Sequence, residues 1–186
     1  MRLRNTLLLA AVLILLAAYI YFFELQKGAS GKAEQLLNFK AEEAAAIVLS
    51  YPRREIQLQR EASGKWKLIQ PLRADADQSA IGGILAALSA GEIQRTLEKK
   101  PTPEDLKSFG LDRPAVKVLI TLKNGITLPW LILGAKTPFG NAAYAQRGGE
   151  PSVYLTNGSL PSALERELND FKDKPIVAEE KRGSKK

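Results

Sequence analysis

The sequence predicts an α+β domain with a mainly antiparallel sheet, one main amphipathic helix and a C-terminal helix, preceded by a single N-terminal transmembrane helix. Three observations carry that reading. Short segments with an apolar residue at every second position recur between residues 46 and 156, as half-buried strands require. Ile81, Ile84, Leu85 and Leu88 switch to helical spacing between two groups of such segments. Leu7 to Phe23 is an uninterrupted apolar run. Strands in runs with few helices between them give segregated α+β architecture and not an alternating parallel fold.

The N-terminal run would rise about 26 Å as a helix at about 1.5 Å per residue, which suffices to cross hydrocarbon if Thr6 extends it. Arg2 and Arg4 precede it, and Tyr19, Tyr21, Phe22 and Phe23 crowd its far end as interfacial aromatics do. A cleaved signal peptide competes with this reading. Its small-residue site, Ala29-Ser30-Gly31, lies far beyond Phe23. Long domains translocate largely regardless of charge, so the short basic N-terminus is expected to stay inside. The expected division is a cytoplasmic N-terminus over 1–5, an anchor over 6–23 and a linker over 24–35. A periplasmic domain follows over 36–174, then a disordered charged tail over 175–186. Localisation is accordingly expected to be the bacterial inner membrane, single-pass, with the bilayer as one partner.

Within the domain, Ile47, Leu49 and Tyr51 share one strand face, and Ile56 and Leu58 share another. Trp66 and Leu68 begin a third strand after the turn Ala62-Ser63-Gly64-Lys65, which makes a three-stranded meander. Asp75 and Asp77 suit the start of the main helix. A strand near Glu92 to Leu97 follows. Thr102-Pro103-Glu104-Asp105 then opens a short helix that Gly110 closes. Val116, Val118, Ile120 and Leu122 alternate up to Asn124-Gly125, which predicts a two-residue type I′ hairpin and a return strand over Ile126 to Leu133. Pro129 cannot donate to a ladder and predicts an edge or a bulge there. Strands near Ala142 to Gln146 and Ser152 to Thr156 come next, and a last helix from Pro161 is expected to bury Leu164, Leu168 and Phe171. The expected core joins Trp66, Leu68, Ile84, Leu88, Val118 and Ile120.

Trp66-Lys67-Leu68 with Pro71 and Asp75, then Phe109-Gly110-Leu111-Asp112-Arg113-Pro114, Leu133-Gly134 running to Tyr144, and Val153-Tyr154-Leu155 occur in an informative order. In that order the chain resembles the bacterial domain-of-unknown-function family four-three-four-zero over about residues 36 to 174. The resemblance implies an anchored envelope protein, often encoded beside gliding-type ABC-transporter components, and it transfers no catalytic residue.

Composition narrows the chemistry. The chain has no Cys and no His, which removes disulfides, thiolate nucleophiles and Cys/His zinc sites. The net charge is +7, but residues 1–34 contribute +2 and residues 175–186 another +2, leaving +3 on a domain of interspersed sign. No basic stripe with interleaved aromatics occurs, so nucleic acid is not an expected partner.

Gly134-Ala135-Lys136-Thr137-Pro138-Phe139-Gly140 has its lysine and threonine before the second glycine, unlike a phosphate loop, and reads as a glycine-rich hairpin loop. The acidic pairs Asp75/Asp77 and Glu104/Asp105 sit at helix starts, where capping accounts for them. Trp66 and Trp130 lie in strand patterns and read as core more than as sugar platforms. Asn157-Gly158-Ser159 matches a glycosylation acceptor and reads as a turn. No serine is singled out with a base, and no cofactor or metal is expected.

The expected function is therefore non-enzymatic: a membrane-anchored interaction or accessory protein that docks a membrane or envelope protein, such as an ABC-type transporter. A small-ligand or envelope-polymer (glycan or lipid) binding module is the alternative. The expected contact loop comprises Gly134, Lys136, Thr137, Phe139, Gly140 and Tyr144, because turn-rich loops on a rigid sheet concentrate binding surfaces.

Overall fold

A computed structural model of the chain describes residues 12, 13, 15, 16, 18, 19, 34–138 and 140–173. The chain divides into two units, residues 1–34 and 35–186. In the first, the described residues between Val12 and Tyr19 are helical, and Val12, Leu13, Leu15, Leu16 and Tyr19 are exposed. Among the described residues no helix is long and apolar enough to cross a membrane. Arg2, Arg4, Tyr21, Phe22 and Phe23 lie outside them, as does the tail over 175–186.

The second unit is α+β. Its strands are β1 (Ala44–Tyr51), β2 (Arg54–Arg60), β3 (Trp66–Gln70), β4 (Ala74–Asp75), β5 (Ile93–Glu98), β6 (Val116–Leu122), β7 (Leu131–Lys136), β8 (Ala143–Arg147) and β9 (Val153–Thr156). Its helices are α1 (Gln78–Ser89), α2 (Pro103–Ser108) and α3 (Ser159–Leu164), with 3-10 turns at Ala41–Glu43 and Leu168–Phe171. The strands form one sheet in the order β4-β3-β2-β1-β6-β7-β8-β9-β5, with every neighbouring pair antiparallel. The expected meander is present and gains β4, whose two residues are too few to show alternation. β6 to β9 form a second meander against β1. Because β4 and β5 are opposite edges, α1 between them carries the chain from one side of the sheet to the other.

That crossing builds the core. Ile47 lies opposite Leu58 and Ile120, and Leu49 lies opposite Ile56 and Val118, so one face presents a continuous aliphatic surface. Ile81, Ile84, Leu85 and Leu88 on α1 are buried in the same cluster, together with Trp66, Leu68, Leu160, Leu164 and Phe171. Each such side chain contributes about 1.5–3 kcal/mol on leaving water. Trp66, at 4% exposure, is a core residue.

The start of α1 is capped by Asp77, whose carboxylate accepts from the backbone N–H groups of Ser79 and Ala80 at 2.9 and 3.0 Å. Asp77→Ala should therefore lower the unfolding free energy by about 1 kcal/mol in urea titration. An unchanged midpoint would mean that water replaces the cap without loss. Asp75, expected beside it, belongs to β4 instead, where its carbonyl accepts from Asp173 N–H at 3.0 Å. At α2, Thr102 caps the helix start expected there and forms a reciprocal capping pair with Asp105. The Thr102 N–H donated to the Asp105 carboxylate holds that group below the usual carboxylate range.

Two expectations are corrected, and a third, an edge or a bulge at Pro129, is met by the bulge. The β6–β7 hairpin has a three-residue loop, with Gly125 N–H donating to the Leu122 carbonyl and Leu122 N–H to that of Ile126. Only Gly125 has positive φ, so Asn124 does not adopt the conformation a type I′ turn needs. β7 is interior, and Pro129 precedes its first residue. The pairing of Thr121 with Thr127 and that of Val118 with Leu131 differ by one residue of register, so the returning chain bulges around Pro129 and Trp130. The last helix is two pieces, because side chains from the β1–β2 turn bind the Leu164 and Arg166 carbonyls, which a continuing helix would use for its own bonds. Leu168 is consequently half-buried, whereas Leu164 and Phe171 are buried.

Candidate functional site

The chain after β9 crosses the core side of the sheet as α3 and continues as a strap over Glu165 to Glu167. Where this strap passes the β1–β2 turn and the ends of β6, β7 and β8, it leaves a cleft of ≈ 340 Å³. Its floor is apolar, from Val116, Leu133, Ala143 and Leu164, and its rim carries Tyr51, Arg54, Lys136, Glu165 and Arg166. A concave apolar site with few oriented polar groups is the usual form of a binding pocket.

Three side chains hold the strap. Tyr51 Oη donates to the Leu164 carbonyl at 2.8 Å, Arg54 Nη2 donates to the Arg166 carbonyl, and Lys136 Nζ pairs with Glu165 Oε2 at 2.6 Å. The Arg54 guanidinium lies 4.7 Å from the centre of the Tyr51 ring. Burial pushes the Tyr51 hydroxyl up to about 12, against a lesser opposing pull from Arg54 and Arg166. A raised folded-state value contributes stability below the unfolded value near 10, and this is lost as pH rises through about 12. Tyr51→Phe should cost about 1 kcal/mol at neutral pH and reduce the fall in stability above pH 10. If the wild-type and variant curves stayed parallel there, the hydroxyl would not be buried as described.

The residues of the expected contact loop have separate roles. Gly134 is a backbone packing point: a Cβ there would lie 2.3 Å from the Phe109 carbonyl oxygen, and that oxygen accepts from Ala135 N–H at 2.8 Å. Gly110, with φ +66, makes the reciprocal approach, since its Cβ would lie 2.9 Å from the Ala135 nitrogen. Lys136 is on the cleft rim. Thr137 closes the loop through its N–H and hydroxyl to the Ala142 carbonyl, at 2.9 and 3.2 Å. Gly140 occupies an exposed turn with φ +88. Tyr144, between inward-facing Ala143 and Ala145, points to the other face, where its ring lies 4.8 Å from that of Phe109. Phe139 lies outside the described residues. Gly134 and Lys136 thus line one cleft, and Tyr144 belongs to a different surface.

Tyr51, Arg54, Glu165 and Arg166 were not singled out by sequence reasoning. The contacts of Tyr51 and Arg54 span more than a hundred residues and that of Glu165 with Lys136 spans 29, and the one local hint was the pair of arginines in the turn Pro52-Arg53-Arg54. A second polar group, Arg147 with Glu150 and Tyr154, braces the β8–β9 turn. The Tyr154 hydroxyl donates to Glu150 at 2.6 Å and, with the Arg147 guanidinium, holds that carboxyl below the usual range. Among the described residues no group of Asp and Glu is arranged to hold a metal ion.

Fold and cleft together define an α+β domain with one sheet face closed by helix and strap and a small apolar pocket beneath the strap. The chain belongs to DUF4340, a domain of unknown function, whose family model matches residues 66–183. The match contains the Phe109-Gly110 and Leu133-Gly134 segments, which meet backbone to backbone. No curated protein and no solved structure matches the chain.

Proposed function

We propose that this protein is a membrane-anchored, non-enzymatic accessory domain on the outer side of the bacterial inner membrane, docking an envelope protein such as an ABC-transporter component. The observation that carries this reading is the apolar-floored cleft rimmed by Arg54, Lys136 and Arg166, which suits an apolar side chain of a partner segment flanked by polar groups. The apolar run from Leu7 to Phe23 supplies the tether. Confinement to a membrane raises effective concentration, so one small pocket suffices for a weak but productive interface. The cleft volume of ≈ 340 Å³ also favours the second reading, a small-ligand or envelope-polymer binding module, since it falls within the range of ligand pockets.

Pulldown of the full chain from detergent-solubilised membranes, with mass spectrometry, separates the two. A stoichiometric membrane-protein partner supports docking, and a lone protein retaining lipid or glycan supports ligand binding. Ala115 is an exposed residue lining the cleft, so Ala115→Phe should fill the cleft and abolish partner recovery while leaving the melting temperature within about 2 °C. Full recovery with this variant would remove the cleft from the interface. Topology has its own test: a reporter active only outside the cytoplasm, fused after residue 174, should give signal that is lost on deleting residues 1–23.

A further inference from the structure

The sheet face opposite α1 carries a second cleft, of ≈ 770 Å³. Its walls follow from register. Ser50 lies opposite Glu55 on β2 and Lys117 on β6, and Lys117 lies opposite Ile132 on β7, so these four side chains share the face that Leu49, Val118 and Leu131 turn away from. Trp130, half-buried two residues before Ile132, lines the same cleft, and Arg113 reaches it from the connection between α2 and β6. Gly148 lets the backbone approach Trp130 closely: its N–H donates to the Trp130 carbonyl at 2.6 Å, and a Cβ there would come within 3.1 Å of the Trp130 Cβ.

The charges of this cleft are unequally engaged. Glu55 accepts from Ser50 Oγ at 3.2 Å and from Gln57 Nε2 at 2.7 Å. Among the described residues, Arg113 and Lys117 have no ion-pair or hydrogen-bonding side-chain partner, and both are exposed. An indole, two uncommitted cations and a carboxylate with remaining acceptor capacity make a specific demand on an occupant. It must bring apolar ring surface for the indole, an anionic group for Arg113 and Lys117, and hydroxyl donors for Glu55. An acidic peptide meets the first two demands and is opposed by Glu55. A neutral sugar leaves the cations unmatched.

We infer that this face is a binding site for an anionic saccharide, a hydroxyl-rich chain bearing carboxylate or phosphate, with Trp130 as its stacking surface and Arg113 and Lys117 as its anion contacts. It shares Tyr51 with the cleft beneath the strap, and its indole and cations belong to this cleft alone. The bland alternative, a solvated sheet face, requires none of these groups to act together.

The test uses the full chain in phosphatidylcholine nanodiscs and follows tryptophan fluorescence, because Trp66 is buried and Trp130 supplies the responsive signal. Tetragalacturonate should shift the emission saturably, and maltotetraose should bind about tenfold more weakly or less. Arg113→Gln with Lys117→Gln should reduce tetragalacturonate affinity by about tenfold or more without moving the melting temperature, since both side chains are exposed. Trp130→Phe with Trp66 retained should abolish the shift, and heteronuclear NMR of that variant shows whether the fold is kept. Equal or tighter binding of tetraglutamate would overturn the saccharide assignment in favour of an acidic peptide. Binding of neither anionic probe, or binding unaffected by the double variant, would overturn the site itself.

Discussion

Leu88→Ala is expected to destabilise the domain by about 2–5 kcal/mol, which is a large share of the stability of a domain this size. Leu88 is fully buried, and it sits on the helix in the connection between the β4 and β5 edges. Leu88 belongs to the same buried cluster as residues of both meanders, so its truncation leaves a cavity in that core. Urea titration should show a lower midpoint with an unchanged slope, because the surface exposed on unfolding hardly changes. A loss below half a kcal/mol would mean that α1 packs elsewhere.

Gly134→Ala should have a comparable effect, about 2–4 kcal/mol, through overpacking instead of a cavity. The new methyl would lie 2.3 Å from the Phe109 oxygen, and the obstructing atom is backbone, so no side-chain rotation relieves it. Separation of the two segments breaks the 2.8 Å bond from Ala135 N–H and pulls the Phe109 ring from Tyr144. Loss of stability accompanied by a change in the Tyr144 ring environment by NMR is the expected pair of results. If stability falls while that ring is undisturbed, the α2 connection yields in some other way. The same geometry gives the glycine-rich loop a structural explanation for its first residue, where a contact role had been expected.

Strand after strand was legible from the chain alone, because the antiparallel sheet buries one face more fully than the other and a period of two follows directly from that asymmetry. Ile47 with Leu49, and Val118 with Ile120, each announced a strand and its buried side, while the pairing that puts them on one face came from the structure. α1 was equally plain, since its four buried aliphatics and Asp77 cap agree on one amphipathic helix. The order of short motifs from Trp66 to Leu155 also sufficed to identify the family. Trp66 as a core residue followed from its place in a strand, whereas the same reading failed for Trp130, which is half-buried, precedes β7 and stands outside the core cluster.

What the chain could not announce was anything settled by partners far apart in sequence. β4 has two residues, too few for a pattern, and exists because β3 and the segment around Lys172 offer it bonds. The final helix reads as continuous until Tyr51 and Arg54, more than a hundred residues earlier, take its carbonyls and divide it. Lys136 was visible as a charged loop residue, but its pairing with Glu165 and its place on a cleft rim arise only when the strap crosses β7. Sequence periodicity thus determined which side of each element meets water, a local consequence of side-chain hydrophobicity. Tertiary structure decided which backbone groups were taken by distant side chains and where the sheet and strap left a pocket, because both depend on contacts that local pattern cannot encode.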